Sequence, residues 1–391
     1  MKRLLLPALL LTALTACTAA PAGTLPAAAP TPTPASTPAP TAAPAPADAL
    51  TPEEKIGQLF IIRPDALDLT LPQETINDAK ADGVTMLTDA MRETLQAYPV
   101  GGICQFGKNI TDPEQLAQFN ADLQAASSTP LFIAVDEEGG AVARLANHPA
   151  FDLPQYESAA AVGASGDPAD ACAMGQTIGA YLKEYGFNMD FAPDADVNTN
   201  PDNPIIGTRA FSSDAADAAD CAAAMARGLA GEGILPTFKH FPGHGDTAED
   251  SHTALAVTYK TLDELQACEL LPFAADTGLH AVMVGHIAAP NVTGDGTPAT
   301  LSPQLVALIP DAENTLIVTD SLAMDAITAA YTPGEAAVQA LQAGCDVLLM
   351  PNSLPEAYAA VLEAVQNGTI SEERLDRSVN KILLYKQQFA S

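Results

Sequence analysis

Seven titratable side chains fall within one short segment of this chain, residues 239–252, which reads KHFPGHGDTAEDSH. Two glycines, Gly243 and Gly245, and a proline favour irregular backbone, so we predict a turn-rich loop. Asp250 and His252 stand two residues apart, and in an extended loop this spacing puts both side chains on one side. A histidine titrates near neutral pH, and an adjacent carboxylate fixes its tautomer and stabilises its protonated form. The pair is therefore a candidate for general acid/base chemistry.

The same segment contains side chains that could bind a metal ion. However, the sequence has neither an HExxH motif nor paired cysteines, and a loop of this kind is a poor tetrahedral cage. We therefore predict no metal here. The side chains concerned are His240, His244, Asp250 and His252.

Another carboxylate stands where an apolar run ends. The run LIVT places Asp320 at the end of a predicted strand. Asp325 is its competitor, but a position inside the following turn or helix favours a capping or solvated role. Asp320 could itself cap that helix, so its assignment to catalysis depends on its pairing with the loop at 239–252.

After residue 50, short apolar or β-branched runs alternate with longer helical patterns, which favours βα units and a parallel sheet. A capping box of Thr51 with Glu54 and the pair Asp112–Pro113 mark two helix starts. Strands are predicted at Gly101–Gln105, Leu131–Asp136, Asn188–Ala192, Leu235–His240, Ala281–His286, Thr315–Asp320 and Asp346–Met350. Helices are predicted at Pro113–Ala126, Ala169–Tyr185, Ala215–Ala230, Leu262–Ala275, Glu335–Ala343 and Glu372–Gln388.

Residues 50–391 have the length of one barrel domain with insertions, without room for a second large domain. Polar residues follow most of the predicted strands. In barrel enzymes the catalytic residues lie at this C-terminal end of the strands. We therefore predict an α/β fold: a single (β/α)8 TIM-barrel-like domain with its active site at the C-terminal rim of the strands.

The N-terminal residues predict export. Residues 1–17 read as a signal peptide, with basic residues before an apolar run too short to span a bilayer. The run ends in LTAC, which resembles the lipobox of bacterial lipoproteins, cleaved before Cys17 and lipidated on it. Residues 18–49 are mostly Ala, Pro and Thr and are predicted to form an extended linker. We therefore expect an envelope protein that a lipid anchors to the membrane, facing outside the cytoplasm.

Composition restricts the partners. The formal net charge of −31 at pH 7 argues against nucleic acid, and an anionic substrate would need a local basic site. Without Cys17 the cysteines number five, which implies no disulfide framework. No obligate protein partner is implied.

The string KHFPGHG followed by DSH resembles the signature of family 3 glycoside hydrolases, in their β-N-acetylhexosaminidase branch. The resemblance implies that Lys239 and His240 hold sugar hydroxyls, and that Asp250 and His252 form a catalytic dyad. VTDSLAM is similar to the family segment that carries the nucleophile, which assigns that role to Asp320.

Three further segments resemble sugar-binding parts of the same family. DEEGGAVARL implies that Asp136 and Arg144 bind hydroxyls, although Ala141 stands where the family often has arginine. NPIIGTRAFSSD implies the same role for Arg209. The strand AVMVGH ends in His286, which is either a further binding residue or a satisfied core histidine. Asp194 and Asp196 are predicted to support the site.

The resemblance implies hydrolysis with retention, which needs no cofactor. His252 would protonate the leaving oxygen, Asp320 would attack the anomeric carbon, and His252 would then activate water. The expected substrate is a glycan that ends in β-linked N-acetylglucosamine, from peptidoglycan fragments or chitooligosaccharides. The alternatives are a β-glucosidase-type enzyme, a phosphorolytic enzyme and an inactive glycan-binding lipoprotein.

Overall fold

The computed structural model describes residues 46–249, 254–275 and 277–390. Within these ranges, eight parallel strands follow one another around a single sheet in chain order. They are β1 (Phe60–Ile62), β2 (Gly102–Cys104), β3 (Phe132–Val135), β4 (Met189–Asp190), β5 (Leu235–Phe241), β6 (Ala281–Val284), β7 (Leu316–Thr319) and β8 (Leu348–Leu349).

The sheet closes on itself. β1 pairs with β8 through Phe60 and Leu348, and a parallel bridge joins Val318 to Val347 at the remaining seam. All residues of these eight strands are buried, which explains why most of their residues are apolar. The predicted (β/α)8 barrel is confirmed.

Helices surround the barrel and cover its ends. The α-helices span Pro52–Gln58, Gln73–Asn77, Asp89–Ala97, Pro113–Ala126, Ala159–Gly163, Pro168–Glu184, Ala215–Gly231, Leu262–Ala267, Pro290–Thr293, Pro303–Val306, Asp325–Thr328, Pro333–Ala343, Leu354–Gln366 and Glu372–Phe389. Short 3-10 turns span Pro46–Ala49, Pro64–Leu67, Gly107–Asn109, Gly207–Arg209, Pro272–Ala274 and Ala299–Leu301. Two small sheets at the rim pair Glu137–Gly139 with Val142–Ala143, and Ala256–Val257 with Ile287–Ala288.

The predicted capping residues stand at the N-termini of their helices. Thr51 and Glu54 form a reciprocal capping box, and Asp112 accepts from the backbone N–H of Gln115 ahead of its helix. The predicted helix Leu262–Ala275 is wrong beyond Ala267. The backbone leaves the helical region at Cys268, and the segment resumes as a 3-10 turn from Pro272.

The C-terminal helix, Glu372–Phe389, lies across the barrel end at which the strands begin. Its side chains donate to backbone carbonyl groups that precede successive strands. These contacts are Arg374 Nη2 to Cys345 at 2.6 Å, Lys381 Nζ to Thr315 at 2.9 Å, and Tyr385 Oη to His280 at 2.9 Å. We call this end the base of the barrel.

The first described residues also lie at the base. Although predicted as linker, Pro46–Ala49 form a turn in which Ala47 is buried and donates its N–H to Asn380 of the C-terminal helix. A salt bridge of 2.6 Å between Lys55 and Asp376 adds a second contact.

The amino group of Lys386, on the same helix, is buried in apolar surroundings. It is 2% exposed, its Nζ donates to Gln58 Oε1 at 2.5 Å, and it lies 5.3 Å from the centroid of the Phe132 ring. Burial lowers its pKa to about 7. The uncharged form is therefore favoured in the folded state far more than in an unfolded chain.

This lysine should make the free energy of unfolding rise with pH in the neutral to alkaline range. Between its folded pKa of about 7 and its higher unfolded pKa, the unfolded chain binds more protons at this group. The free energy of unfolding should therefore rise with pH by up to about 1.4 kcal/mol per pH unit, and should not change through this group below that window. Urea unfolding of the wild type and of Lys386→Met at neutral and at alkaline pH measures the contribution. The wild type should gain stability relative to the variant as pH rises, and an equal difference at both values would contradict the prediction.

Candidate active site

A cavity of about 520 Å³ opens at the C-terminal rim of the barrel. It is lined by side chains that are far apart in sequence and that the sequence predicts to act in binding or catalysis. They are Asp136, Arg144, Arg209, Lys239, His240 and Asp320. Asp250, His252 and Cys17 lie outside the described residues.

The hairpin after β3 carries three acidic residues in a row. Because side chains alternate along a strand, Asp136 and Glu138 face the cavity, whereas Glu137 faces the protein interior. The turn depends on Gly139 and Gly140, whose φ angles of 83° and 61° suit glycine. Ala141 lies exposed at the tip of this turn.

Glu138 is a buried carboxylate between two cations. Its oxygens accept from Arg209 Nε at 2.8 Å and Nη2 at 2.7 Å, a bidentate pair, and Lys239 Nζ lies 2.6 Å away. Burial opposes ionisation, but the charges of Arg209 and Lys239 outweigh it and hold the pKa of Glu138 well below its usual range. This ion cluster fixes both cations at the floor of the cavity.

Asp136 shares Lys239 with Glu138. Lys239 Nζ donates to Asp136 Oδ1 at 2.8 Å, and Arg144 Nη2 lies 3.4 Å from Asp136 Oδ2. Burial would raise the pKa of Asp136, yet Lys239 and Arg144 together keep it below its usual value. Asp136 is thus an ionised acceptor beside two donors, which suits a pair of adjacent sugar hydroxyls.

Glu137 supports this wall from behind. Its carboxylate accepts the backbone N–H groups of Arg144, Leu145 and Ala146 at 2.5, 2.9 and 2.9 Å, and the Tyr181 hydroxyl at 2.9 Å. Burial raises the pKa of Glu137, although these donors oppose the shift. The contacts position the backbone from which Arg144 reaches the cavity.

A second carboxylate holds two histidines. Asp196 Oδ2 lies 2.7 Å from His240 Nδ1, and its Oδ1 accepts the backbone N–H of His244 at 2.5 Å. Although burial of the imidazole opposes protonation, Asp196 raises the pKa of His240, whereas burial lowers the pKa of His244. His240 can therefore donate from Nε2 to a ligand while Asp196 fixes its ring.

Asp194, Asp196 and His240 offer ligand atoms within 4.8 Å of one another, which is the geometry of a possible cation site. The Arg209 guanidinium already lies 3.4 Å from Asp194 Oδ2. Burial and the charge of Asp196 raise the pKa of Asp194 to about 7. A metal ion would have to compete with Arg209 for this cluster.

His286 lies behind the rim. It is fully buried, its Nε2 is 2.8 Å from the Ser321 carbonyl oxygen, and its Nδ1 is 2.7 Å from Thr300 Oγ1. This geometry favours the second of the two alternatives left open by the sequence, a buried histidine. It supports the backbone next to Asp320.

Asp320 directly follows β7. Its backbone N–H donates to the Val284 carbonyl at 2.9 Å, its Oδ1 accepts the N–H of Ser321 at 2.7 Å, and it lines the cavity. Asp325 is exposed in the first turn of the helix Asp325–Thr328 and does not line the cavity. Of the two carboxylates, only Asp320 is placed to contact a ligand there.

The sequence analysis did not select Glu138, Glu137 or His244 for the site. For Glu138 a signal existed, since it stands two residues after Asp136 in a strand-like run and therefore shares its face. For Glu137 none existed, because it accepts from backbone N–H groups and from the Tyr181 hydroxyl, which only the fold brings near. His244 was named only as a possible metal ligand, and the Asp196 carboxylate that contacts it is likewise brought near only by the fold.

Glu138→Gln tests the ion cluster. The amide offers one acceptor oxygen where three donors now meet a carboxylate, so Arg209 and Lys239 lose buried charge compensation. We expect the free energy of unfolding to fall by about 3 kcal/mol, and kcat/KM for the glycoside hydrolysis that the sequence resemblance implies to fall by about 10²-fold. Urea unfolding and steady-state kinetics measure the two effects. Glu184→Gln, at an exposed helix position, is the matched control and should change neither.

Comparison with known proteins gives consistent matches. A model of the glycosyl hydrolase family 3 N-terminal domain matches residues 51–384. Beta-hexosaminidase A of Pseudoalteromonas piscicida is 32% identical over 335 residues, covering 78% of this chain and 56% of that protein. The beta-hexosaminidase of Stenotrophomonas maltophilia strain K279a is 34% identical over 300 residues, covering 74% of this chain and 87% of that protein.

One solved structure is similar over most of the chain. It is a glycoside hydrolase family 3 beta-N-acetylglucosaminidase from Paenibacillus sp. str. FPU-7, with a TM-score of 0.77 and 38% sequence identity, covering 87% of this chain and 63% of the other. The chain therefore spans just over half the length of the Pseudoalteromonas protein and under two thirds of this solved chain.

Proposed function

The chain belongs to glycosyl hydrolase family 3, and from this premise we propose that it is a retaining β-N-acetylglucosaminidase that releases terminal β-linked N-acetylglucosamine. The observation that carries the proposal is the shared cavity. Asp320, which follows β7, lines the same cavity as Asp136, which follows β3, and Lys239 and His240, which lie on β5. The two beta-hexosaminidases and the solved beta-N-acetylglucosaminidase named above support the choice of sugar.

The proposed reaction has two steps. In the first, an Asp320 oxygen bonds to the anomeric carbon, the glycosidic C–O bond breaks, and His252 donates a proton to the leaving oxygen. In the second, water gives a proton to His252 while its oxygen displaces the Asp320 carboxylate from the anomeric carbon. Asp250 would orient the His252 ring and stabilise its imidazolium form.

The buried cluster would hold the sugar. Asp136, Lys239 and His240 would present an acceptor, a cation and a ring N–H to hydroxyl groups, and Arg209 pairs with Glu138, which also contacts Lys239. Because these partners are fixed before substrate arrives, binding would cost little reorganisation. We propose peptidoglycan fragments or chitooligosaccharides as the glycan source.

Turnover of 4-nitrophenyl β-N-acetylglucosaminide by residues 46–391 tests the proposal, with the matching β-glucoside as control. NMR of the first product should show the β-anomer, since two displacements retain configuration. Preference for the glucoside, or an α-product, would refute the assignment. A sugar 1-phosphate formed in phosphate buffer would instead indicate phosphorolysis.

We further propose that the protein is anchored through lipid on Cys17. The support is the signal-like run before Cys17 and the Ala/Pro/Thr-rich segment after it. Within the described residues, none of the helices combines the length and apolar composition needed to cross a bilayer. Mass spectrometry of the N-terminal peptide from native membranes decides the question, since an unmodified Cys17 would reject the anchor.

A further inference from the structure

A group of charged side chains lies near the loop segment 239–252 without lining the cavity. Lys260 Nζ contacts Glu269 Oε1 and lies 3.4 Å from Asp246 Oδ1. Asp246 belongs to the loop segment, whereas Lys260 follows it in the chain. The proposed hydrolysis uses none of these three residues. We call Lys260, Asp246 and Glu269 the Lys260 cluster.

Glu269 is the fixed member of this cluster. Its side chain is fully buried, and its Oε1 also accepts the Thr199 hydroxyl at 3.3 Å. A buried carboxylate needs a compensating cation, and in the described part of the chain Lys260 supplies it. Although burial opposes protonation, Glu269 and Asp246 raise the pKa of Lys260 and keep its amino group charged.

Asp246 connects the two sides of the loop. Its Oδ2 accepts the Thr258 hydroxyl at 3.0 Å, and its Oδ1 faces Lys260. Thr258 is buried, and its backbone N–H donates to the Ala288 carbonyl at 2.9 Å. The chain that enters the loop is therefore tied to the chain that leaves it. Lys260 in turn ties both sides to the buried Glu269.

Asn203 holds the entering side of the loop independently of this cluster. Its Nδ2 donates to the backbone carbonyl groups of His244 at 2.8 Å and Thr247 at 3.0 Å, and its side chain is buried. The backbone as far as Thr247 therefore has an anchor that does not involve Lys260. What Lys260 adds is the connection to the leaving side of the loop.

The positions of Asp250 and His252 lie between these two attachment points in the chain. A segment that is held at both ends has less conformational entropy than one that is held at a single end. An acid/base must lie within hydrogen-bond reach of the oxygen that it protonates, and a displacement of about 1 Å can cost on the order of 10²-fold in rate. Fixing both sides of the loop therefore restricts where the proposed acid/base can lie.

We propose that Lys260 is a positioning residue, which fixes both sides of the loop in which the acid/base His252 stands. This inference rests on the proposed glycosidase function and adds to it a residue that acts through His252 without contacting the substrate. The competing explanation is an ion cluster that contributes to stability alone.

Lys260→Met tests the proposal on two aryl β-N-acetylglucosaminides, one with 2,4-dinitrophenol as a good leaving group and one with 4-methoxyphenol as a poor one. With the acid misplaced, kcat/KM on the poor leaving group should fall by about 10²-fold. On the good leaving group it should fall by about 10-fold or less, because departure needs little protonation. Inhibition by N-acetylglucosamine should stay close to that of the wild type, since the Lys260 cluster does not line the cavity.

Lys183→Met, at an exposed position on the helix Pro168–Glu184, is the matched control and should change neither rate. Asp246→Asn serves if Lys260→Met does not fold. The amide can still accept the Thr258 hydroxyl, and Glu269 keeps its cation, so the variant loses the ion pair that joins the two sides of the loop. The same dependence on the leaving group should appear, with a loss of about 10-fold on the poor one.

The outcomes separate this inference from the proposed function. Wild-type protein that hydrolyses neither glycoside would refute the proposed function. Wild-type protein that hydrolyses both, with variants that lose the same factor on both leaving groups, would overturn the positioning role of Lys260 alone. The same conclusion would follow if the variants lowered only the thermal midpoint measured by circular dichroism.

Discussion

Asp320→Asn should abolish turnover while leaving the barrel folded. The amide keeps the shape of the carboxylate and can still accept the Ser321 N–H, but it cannot form a stable bond to the anomeric carbon. We expect kcat to fall on the order of 10⁴- to 10⁶-fold, as when the nucleophile of another covalent enzyme is removed. Steady-state kinetics with an aryl N-acetylglucosaminide and circular dichroism measure activity and fold together.

Asp325→Asn is the matched control, because Asp325 is exposed on the helix that follows. It should leave kcat within a small factor of the wild type. A fluorinated sugar that traps glycosyl-enzymes should label Asp320, as located by mass spectrometry of the peptides. Labelling of Asp325, or an unaltered rate in Asp320→Asn, would refute the nucleophile assignment.

His252→Ala should affect substrates according to their leaving groups. Protonation of the departing oxygen is worth typically about 10²- to 10⁴-fold and matters most when that oxygen is a poor leaving group. The variant should therefore lose far more activity on natural disaccharides than on aryl glycosides with acidic phenols. Since deglycosylation still needs the base, good substrates should show a burst followed by slow turnover.

Azide offers a direct check on His252, because a small anion can attack the glycosyl-enzyme without general-base help. It should restore rate to His252→Ala on activated substrates. Asp250→Asn should show a milder form of the same behaviour, with its pH optimum lowered because the carboxylate no longer favours the imidazolium. Equal losses on good and poor leaving groups, without burst or azide rescue, would contradict the acid/base role.

The sequence predicted most of the barrel because buried parallel strands carry an unmistakable composition. Six of the eight barrel strands lie within the predicted ranges, and β5 extends one residue beyond its range, to Phe241. β1 (Phe60–Ile62) was missed, since it follows the helix Pro52–Gln58 after a single residue and its apolar residues extend the apolar face of that helix. Periodicity cannot separate two elements without a turn signal between them.

Tertiary contacts explain why the helix predicted at Leu262–Ala275 ends at Ala267. Beyond Ala267 the chain places Glu269, which is fully buried, against Lys260. Gly243 of the rim loop approaches Glu269 so closely that an added Cβ would lie 2.6 Å from its Cβ, and its φ is 125°. The free energy of these tertiary contacts outweighs the local helix propensity, so the helix is shorter than the sequence pattern predicted.

For the candidate site, the sequence motifs predicted individual side chains but not the ion pairs that these side chains form. Asp136, Lys239 and Arg209 were selected separately. In the structure Lys239 contacts Asp136 directly, and Glu138 joins Lys239 to Arg209.

The meeting of the first described residues with the C-terminal helix fixes how the domain can be attached. Ala47 contacts Asn380 at the base, whereas the cavity opens at the opposite end of the barrel. The first described residues therefore lie at the base, at the opposite end of the barrel from the cavity. The same polarity recommends immobilisation through the N-terminus for any binding measurement on this protein, since residue 46 lies at the end of the barrel opposite the cavity.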